Sequence, residues 1–275
     1  MITPKENNKL IYFMENDIAE RDVTTELLEE RECVAEIKAK EEATIAGLDE
    51  AELCFEYFGV QVKRLVEEGN RVREGATVMA LKGSNKGILQ AERTALNMMS
   101  RMSGVASLCA KARELAEGSN VRIALTRKTI PGFNEFDKKS AIIAGIDPHR
   151  FNLSDMVLLK DNHLKFFKSV KEAVRKAKKE SSFSKKIEVE AKNKGKALKA
   201  AEECPDIIML DNFSVRDAGQ TIKEIRAMNK KVLIECSGGI DLNNLKSYIE
   251  LKPDIVSLGF LTKSARGIDF SLNIK

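Results

Sequence analysis

Six short apolar runs, VRIALTRK, MVLLKDN, KKIEVEA, IIMLDNF, KVLIECSGG and DIVSLGF, recur between residues 121 and 260, each separated from the next by enough chain for a crossover helix. That grammar restricts the segment to a parallel sheet or barrel, because parallel neighbours need long crossovers whereas hairpins need only two residues. In such barrels the ligand site is built at the C-terminal ends of the strands. Here those ends carry Arg127 and Lys128, Lys160 and Asp161, Glu188 and Glu190, Asp211 and Asn212, Glu235 with Ser237-Gly238-Gly239, and Ser257 with Gly259. Two polar endings could arise by chance; six place polar groups at core positions in a repeating way.

Sorted by charge, the endings form two groups. Arg127, Lys128, His149, Arg150 and Lys160 are cationic or proton-donating and come early in the barrel; Glu190 and Asp211 are anionic and come later. Guanidinium forks match carboxylates bidentately, so the first group suits a planar acceptor with several negative charges. Two carboxylates from neighbouring strands suit magnesium, which takes oxygen ligands and bridges to phosphate. Ser237-Gly238-Gly239 supplies a hydroxyl and backbone N–H groups that can approach an anion, and Gly259 ends the next strand, where late loops of such barrels commonly hold phosphate. An acidic ring and a metal-bound phosphosugar are the implied substrates. Taken singly, each piece has a plainer meaning: S-G-G alone is a turn more often than a phosphate site, and Glu188 can be read simply as a surface partner of Lys186.

Composition narrows the alternatives. At 275 residues the chain is long enough for two domains with a sizeable core, and 43% hydrophobic against 32% charged residues describes a globular protein. A net charge of +4, spread along the chain, favours small anions over nucleic acid, and 5% aromatics with no tryptophan offers little for base stacking. Neither a Walker A nor a G-x-G-x-x-G string is present. Five cysteines, Cys33, Cys54, Cys109, Cys204 and Cys236, contain no C-x-x-C pair and read as reduced, mostly buried thiols of a cytoplasmic protein. No export signal or membrane span is expected.

Ahead of the barrel the pattern mixes strands and helices. A helix is expected from Asp49 to Tyr57, strands at Val62–Val66 and Thr77–Leu81, and a long helix from Gln90 to Glu117 with Leu96, Met99, Met102 and Val105 or Ala106 as its apolar stripe and a break near Ser103-Gly104. The stretch EEGNRVREGATVMALKG resembles the hairpin of lipoyl- and biotinyl-carrier domains but lacks the lysine-bearing tip, so it reads as scaffold. The lysine-rich run from Lys165 to Lys179 spaces Val170, Ala173, Val174 and Ala177 as one helix face, with a solvated face opposite.

The ordered strings GLDEAE, ERTALNMMSRMSGVA, TRKTIPG, PHRFNLSDMVLLKDNHL, IEVE, IMLDNFS, ECSGGI and SLGFLTKSA resemble the motifs of the quinolinate phosphoribosyltransferase (nicotinate-nucleotide pyrophosphorylase) family, in family order along almost the whole chain. That resemblance implies an α/β fold: an N-terminal α/β sandwich, residues 1–105, and an incomplete seven-stranded α/β barrel of TIM-barrel type, residues 106–265, with residues 266–275 packing back on the first domain. It implies a homodimer or higher oligomer with a shared active site and magnesium as cofactor, and composition adds the expectation of no nucleic-acid or membrane partner. The implied reaction moves the phosphoribosyl group of phosphoribosyl pyrophosphate to quinolinate with decarboxylation, as in NAD biosynthesis. By the same resemblance Arg93 reaches the partner subunit's site; Arg127, Lys128, His149, Arg150 and Lys160 hold quinolinate; Glu190 and Asp211 serve the ribose hydroxyls and metal; and Ser237, Gly238, Gly239, Gly259 and Lys263 bind the 5-phosphate. Lys128, Lys160, Glu190 and Asp211 are the implied catalytic set.

The chain departs from the family pattern in places. Leu125 stands where aspartate is usual, Ala144-Gly145-Ile146 where three glycines are usual, Asp147-Pro148 precede the His-Arg pair, and Phe260 and Lys263 replace a small residue and a histidine. TRKTIPG is shared with a paralogous branch associated with molybdate transport genes, which makes a different acidic or aromatic acceptor the alternative; retention of KDNH, Lys160 to His163, favours quinolinate. His163 itself reads as a hydrogen-bonded core histidine rather than a ligand.

Overall fold

The computed structural model describes residues 2–275. In chain order its elements are α1 (Pro4–Ile18), β1 (Glu32–Ala39), β2 (Ala43–Thr44), α2 (Leu48–Tyr57), β3 (Gln61–Arg64), β4 (Arg71–Val72), β5 (Thr77–Ser84), α3 (Asn85–Leu115), β6 (Arg122–Ala124), α4 (Asn134–Ile143), β7 (Val157–Leu159), α5 (Asp161–Leu164), α6 (Val170–Glu180), β8 (Ile187–Ala191), α7 (Lys194–Glu202), β9 (Ile207–Asp211), α8 (Val215–Met228), β10 (Leu233–Ser237), α9 (Leu245–Ile249), β11 (Ile255–Ser257), α10 (Phe260–Lys263) and β12 (Phe270–Ile274). The chain forms two compact units, the first comprising residues 1–110, 135–144 and 264–275, the second residues 111–134 and 145–263. Among the described residues no helix is long and apolar enough to cross a membrane.

The first unit is built on an antiparallel sheet in the order β12-β1-β5-β3, beside a small β2-β4 pair. Along β1 the side chains of Ala35, Ile37 and Ala39 are buried while those between them are not, the period of two expected of a sheet with one covered face. The carrier-like stretch is part of this sheet, with β5 pairing to both β1 and β3.

One helix of this unit was not anticipated. At α1, Thr3 accepts from the Glu6 N–H, the Glu6 carboxylate accepts from the Thr3 N–H at 2.7 Å, and Pro4 occupies the first turn. T-x-x-E before Leu10 and Met14, both fully buried, was the available signal.

The long helix also differs from expectation. α3 starts at Asn85 and runs unbroken through Ser103-Gly104. The Ser103 hydroxyl donates to the Ala46 carbonyl and accepts from the Ala46 N–H, both at 3.0 Å, and a Cβ on Gly104 would overlap the Arg266 carbonyl. This pair is a site of close backbone approach rather than a helix stop. The expected stripe, Leu96, Met99, Met102, Val105 and Ala106, is buried throughout.

The second unit holds a parallel sheet in the order β6-β11-β10-β9-β8-β7. All six apolar runs became its strands, and β8 is buried at every position, as parallel strands covered on both faces are. The seventh strand is reduced to one parallel bridge, Ala124 to Asp147, in which Leu125 N–H donates to Asp147 and Asp147 N–H to Ile123. Pro148 follows at once and cannot donate to a ladder, which limits that strand to its single bridge. In α6, Ala173 and Val174 are buried and the lysines exposed. Cys54, Cys109 and Cys236 are buried, Cys33 is partly so, and Cys204 is exposed; all are free thiols.

Candidate functional site

The C-terminal strand ends of the second unit surround a cavity of about 250 Å³ lined by Leu125, Thr126, Arg127, Lys128, His149, Arg150, Leu158, Lys160, Glu190, Met209, Asp211, Glu235, Ser237 and Ser257. Strand register explains the grouping. Glu190 pairs with Met209, and Met209 with Glu235; one level further along, Asp211 pairs with Ser237, and Ser237 with Ser257. Residues two apart on a strand share a face, so both levels point into the barrel.

Of the residues singled out in the sequence, Arg127, Lys128, His149, Arg150, Lys160, Glu190, Asp211 and Ser237 meet at this cavity. Gly238, Gly239, Gly259 and Lys263 are not among its lining residues, and Lys263 is exposed at the end of α10. Arg93 lies in the first unit, exposed on α3.

Lys160 follows β7, and its ammonium lies 3.3 Å from the Glu190 carboxylate. Its backbone N–H donates to His163 Nδ1 at 3.1 Å, so His163 orients Lys160; that histidine is exposed rather than part of the core. Arg150 is 9% exposed, and its guanidinium has no hydrogen bond or ion pair among the described residues. Burial, with the neighbouring Arg127 guanidinium, draws its pKa below the usual value. An open guanidinium fork held nearly dry has donor geometry that a carboxylate can match bidentately.

The loop after β10 shows why two glycines stand there. Gly238 and Gly239 have φ of 86° and 65°, and a Cβ on Gly238 would sit 2.7 Å from the Asn212 backbone nitrogen. Asn212 N–H donates to the Ser237 carbonyl at 2.9 Å, and the Asn244 side-chain amide to the Gly239 carbonyl at 2.9 Å. Beyond β11, the Lys128 side chain crosses Gly259, and the Thr262 hydroxyl donates to the Lys128 carbonyl at 2.7 Å.

Below the cavity lies a polar layer that the sequence reading did not resolve. Glu188 is fully buried, and neither carboxylate oxygen has a hydrogen-bond partner, which corrects the picture of a surface partner for Lys186. Burial first, then the nearby Glu235 charge, pushes its carboxyl well above the ordinary range. His149, Glu188 and Glu235 offer ligand atoms within 4.8 Å of one another. This cluster does not suit a metal, because Arg150 N–H donates to His149 Nδ1 at 2.9 Å, which puts the ring hydrogen of the neutral imidazole on Nε2. That N–H points at Glu235, 3.1 Å away. The oxygen pair Glu190 and Asp211, by contrast, lines the open cavity and has the donor chemistry magnesium takes. Glu235 and Ser257 were visible as strand endings; what would have drawn them into the site was their spacing of two from Ser237 and Gly259.

Of the departures from the family pattern, Leu125 lines the cavity, whereas Ala144 and Ile146 are buried and are not among its lining residues.

Comparison with known proteins gives a consistent result. Residues 22–103 match the family model described as quinolinate phosphoribosyl transferase, N-terminal domain, and residues 105–273 match its C-terminal domain. A probable nicotinate-nucleotide pyrophosphorylase [carboxylating] of Methanothermobacter thermautotrophicus is 39% identical over 267 residues, covering 94% of this chain and 95% of its own. The human nicotinate-nucleotide pyrophosphorylase [carboxylating] is 36% identical over 242 residues, covering 87% of this chain and 82% of its own. The solved nicotinate-nucleotide pyrophosphorylase of Francisella tularensis superposes with a TM-score of 0.93 at 33% identity, covering 100% of this chain and 98% of that one.

Proposed function

The chain belongs to the quinolinate phosphoribosyl transferase family, and from that premise we propose that it converts quinolinate and phosphoribosyl pyrophosphate to nicotinate mononucleotide, pyrophosphate and carbon dioxide. The observation that carries this reading is the convergence of Arg127, Lys128, Arg150 and Lys160 with Glu190 and Asp211 on one cavity. Four cations facing two carboxylates suit a dicarboxylate acceptor at one end and a metal-bound phosphosugar at the other.

Glu190 and Asp211 are the residues that would hold magnesium, which when bound supplies positive charge to the departing pyrophosphate. The chain's own groups do the rest. Arg127 and Arg150 fork the acceptor carboxylates and hold the ring nitrogen in line with ribose C1. Lys128 and Lys160 offset the negative charge that grows on pyrophosphate as the C1–O bond breaks and C1 gains oxocarbenium character. Ring nitrogen then bonds to C1. The same cations stabilise the electron pair left on the ring carbon when the 2-carboxylate departs as carbon dioxide, and a proton from solvent completes the product. Ser237, with the backbone at Gly238, Gly239 and Gly259, takes the 5-phosphate, with Lys263 beside it. Arg93, exposed on α3, completes the cavity of a second subunit in a homodimer.

The test is a product assay. Pyrophosphate and carbon dioxide should appear only when quinolinate, phosphoribosyl pyrophosphate and magnesium are all present, stop on addition of EDTA, and accompany a product of the mass of nicotinate mononucleotide. Turnover of nicotinate or another acid with none of quinolinate would refute the acceptor assignment.

A further inference from the structure

A chain of hydrogen bonds crosses the floor of the cavity, and Glu235 is its centre. At one end Arg150 N–H donates to His149 Nδ1 at 2.9 Å, and His149 Nε2–H points at Glu235 Oε2, 3.1 Å away. At the other end the buried Ser257 hydroxyl donates to Glu235 Oε1 at 2.5 Å, and Ser257 Oγ lies 2.8 Å from Ser237 Oγ. Glu235 is 0% exposed, so both bonds are shielded from water. We propose that Glu235 is a positioning residue that couples the acceptor end of the cavity to its phosphosugar end. The inference rests on the functional reading above, which assigns those two ends.

The backbone at His149 supports this role. Its φ is 54°, a left-handed conformation unusual for a residue with a side chain, and it persists only where the surroundings hold it. Two contacts do so: the His149 N–H donates to Asp147 Oδ1 at 2.7 Å, and the ring is anchored on Glu235. Arg150 is the next residue, and its guanidinium has no bond of its own to fix it. The place of that guanidinium therefore depends on the histidine before it, and the histidine depends on Glu235. On the other side, Ser257 passes the same anchor to Ser237. Both ring nitrogens of His149 are thereby committed within the protein, which assigns it to holding the wall of the cavity.

Two variants separate the halves of the chain. Glu235→Gln keeps the shape but turns an acceptor into an amide that cannot accept from both neighbours, while Ser257→Ala cuts only the link toward Ser237. Glu235→Gln should raise the KM for quinolinate and for phosphoribosyl pyrophosphate by about tenfold each, the scale of losing a hydrogen bond to a charged group. Ser257→Ala should raise the phosphoribosyl pyrophosphate KM alone. In the free protein, ¹⁵N NMR should show His149 with its hydrogen on Nε2 in the wild type and a changed tautomer or ring shift in Glu235→Gln. Unchanged KM values, or a loss of kcat with both KM values and the His149 spectrum preserved, would overturn the proposal. If Glu235→Gln does not fold, Ser257→Ala decides: a selective rise supports the coupling, and a uniform change or none overturns it. Wild-type turnover of quinolinate is scored separately, so failure of the functional reading is distinguishable from failure of the coupling.

Discussion

Glu188 and Glu190 stand two residues apart on one face of β8, yet Glu190 is ion-paired to Lys160 at 3.3 Å while Glu188 has no hydrogen-bond partner. One strand thus supplies a charged carboxylate to the cavity and a buried carboxyl beneath it. The difference follows from depth alone, since the strand rises about 3.3 Å per residue.

That asymmetry predicts a pH effect on stability. Glu188 has a folded-state pKa above its ordinary value of 4.5, so the folded protein binds its proton more tightly than the unfolded chain. Its contribution is complete below pH 4.5 and is lost as pH rises through the folded value. Glu188→Gln cannot ionise and should flatten the decline in urea midpoint on going from acid to neutral pH. Parallel curves for the two proteins would contradict this.

Lys160→Ala should lower kcat/KM by about a hundredfold, the scale of removing one preorganised charge from a transition state. The melting temperature should barely move, because the lysine is half exposed and such ion pairs contribute little. Steady-state kinetics beside calorimetry will check the pair of outcomes.

Arg150→Ala removes a guanidinium that bonds to nothing in the resting protein. Quinolinate KM should rise by about ten- to a hundredfold, matching hydrogen bonds to a charged group, with no loss of folding stability. A variant with wild-type KM would remove Arg150 from the acceptor site.

Gly238→Ala should cost far more than Gly239→Ala. Both glycines are left-handed, which costs an alanine about 1–2 kcal/mol. Only at Gly238 does the new Cβ also meet the Asn212 backbone, at 2.7 Å against 3.8 Å to the Asn212 side chain at Gly239. Urea denaturation and the phosphoribosyl pyrophosphate KM should both rank the two variants in that order.

Sharing of the site between subunits is tested by mixing. Arg93→Ala and Lys160→Ala proteins, each strongly impaired alone, should regain part of the activity in heterodimers, because one of the two cavities then has both residues. A verified heterodimer without activity would argue against Arg93 acting in its partner.

The barrel was legible because each of its strands is an apolar run with a polar ending, and periodicity reports burial directly. Lys160, Glu190, Asp211 and Ser237 could be placed at one cavity for the same reason. The α1 helix was missed because its signal is a cap rather than a stripe, and Ser103-Gly104 misled because a helix-breaking pair and a close-packing pair look alike without the Arg266 backbone in view. The burial of Glu188 without a hydrogen bond was hidden too: a glutamate on a strand near a lysine reads as a surface pair until depth is known.

The single bridge at Asp147 leaves the segment that delivers His149 and Arg150 outside any extended ladder. Substitutions there can shift His149 and Arg150 while the six hydrogen-bonded strands, with Glu190, Asp211 and Ser237 on them, keep their register. A scaffold of this kind can vary one wall of its cavity without rebuilding the others.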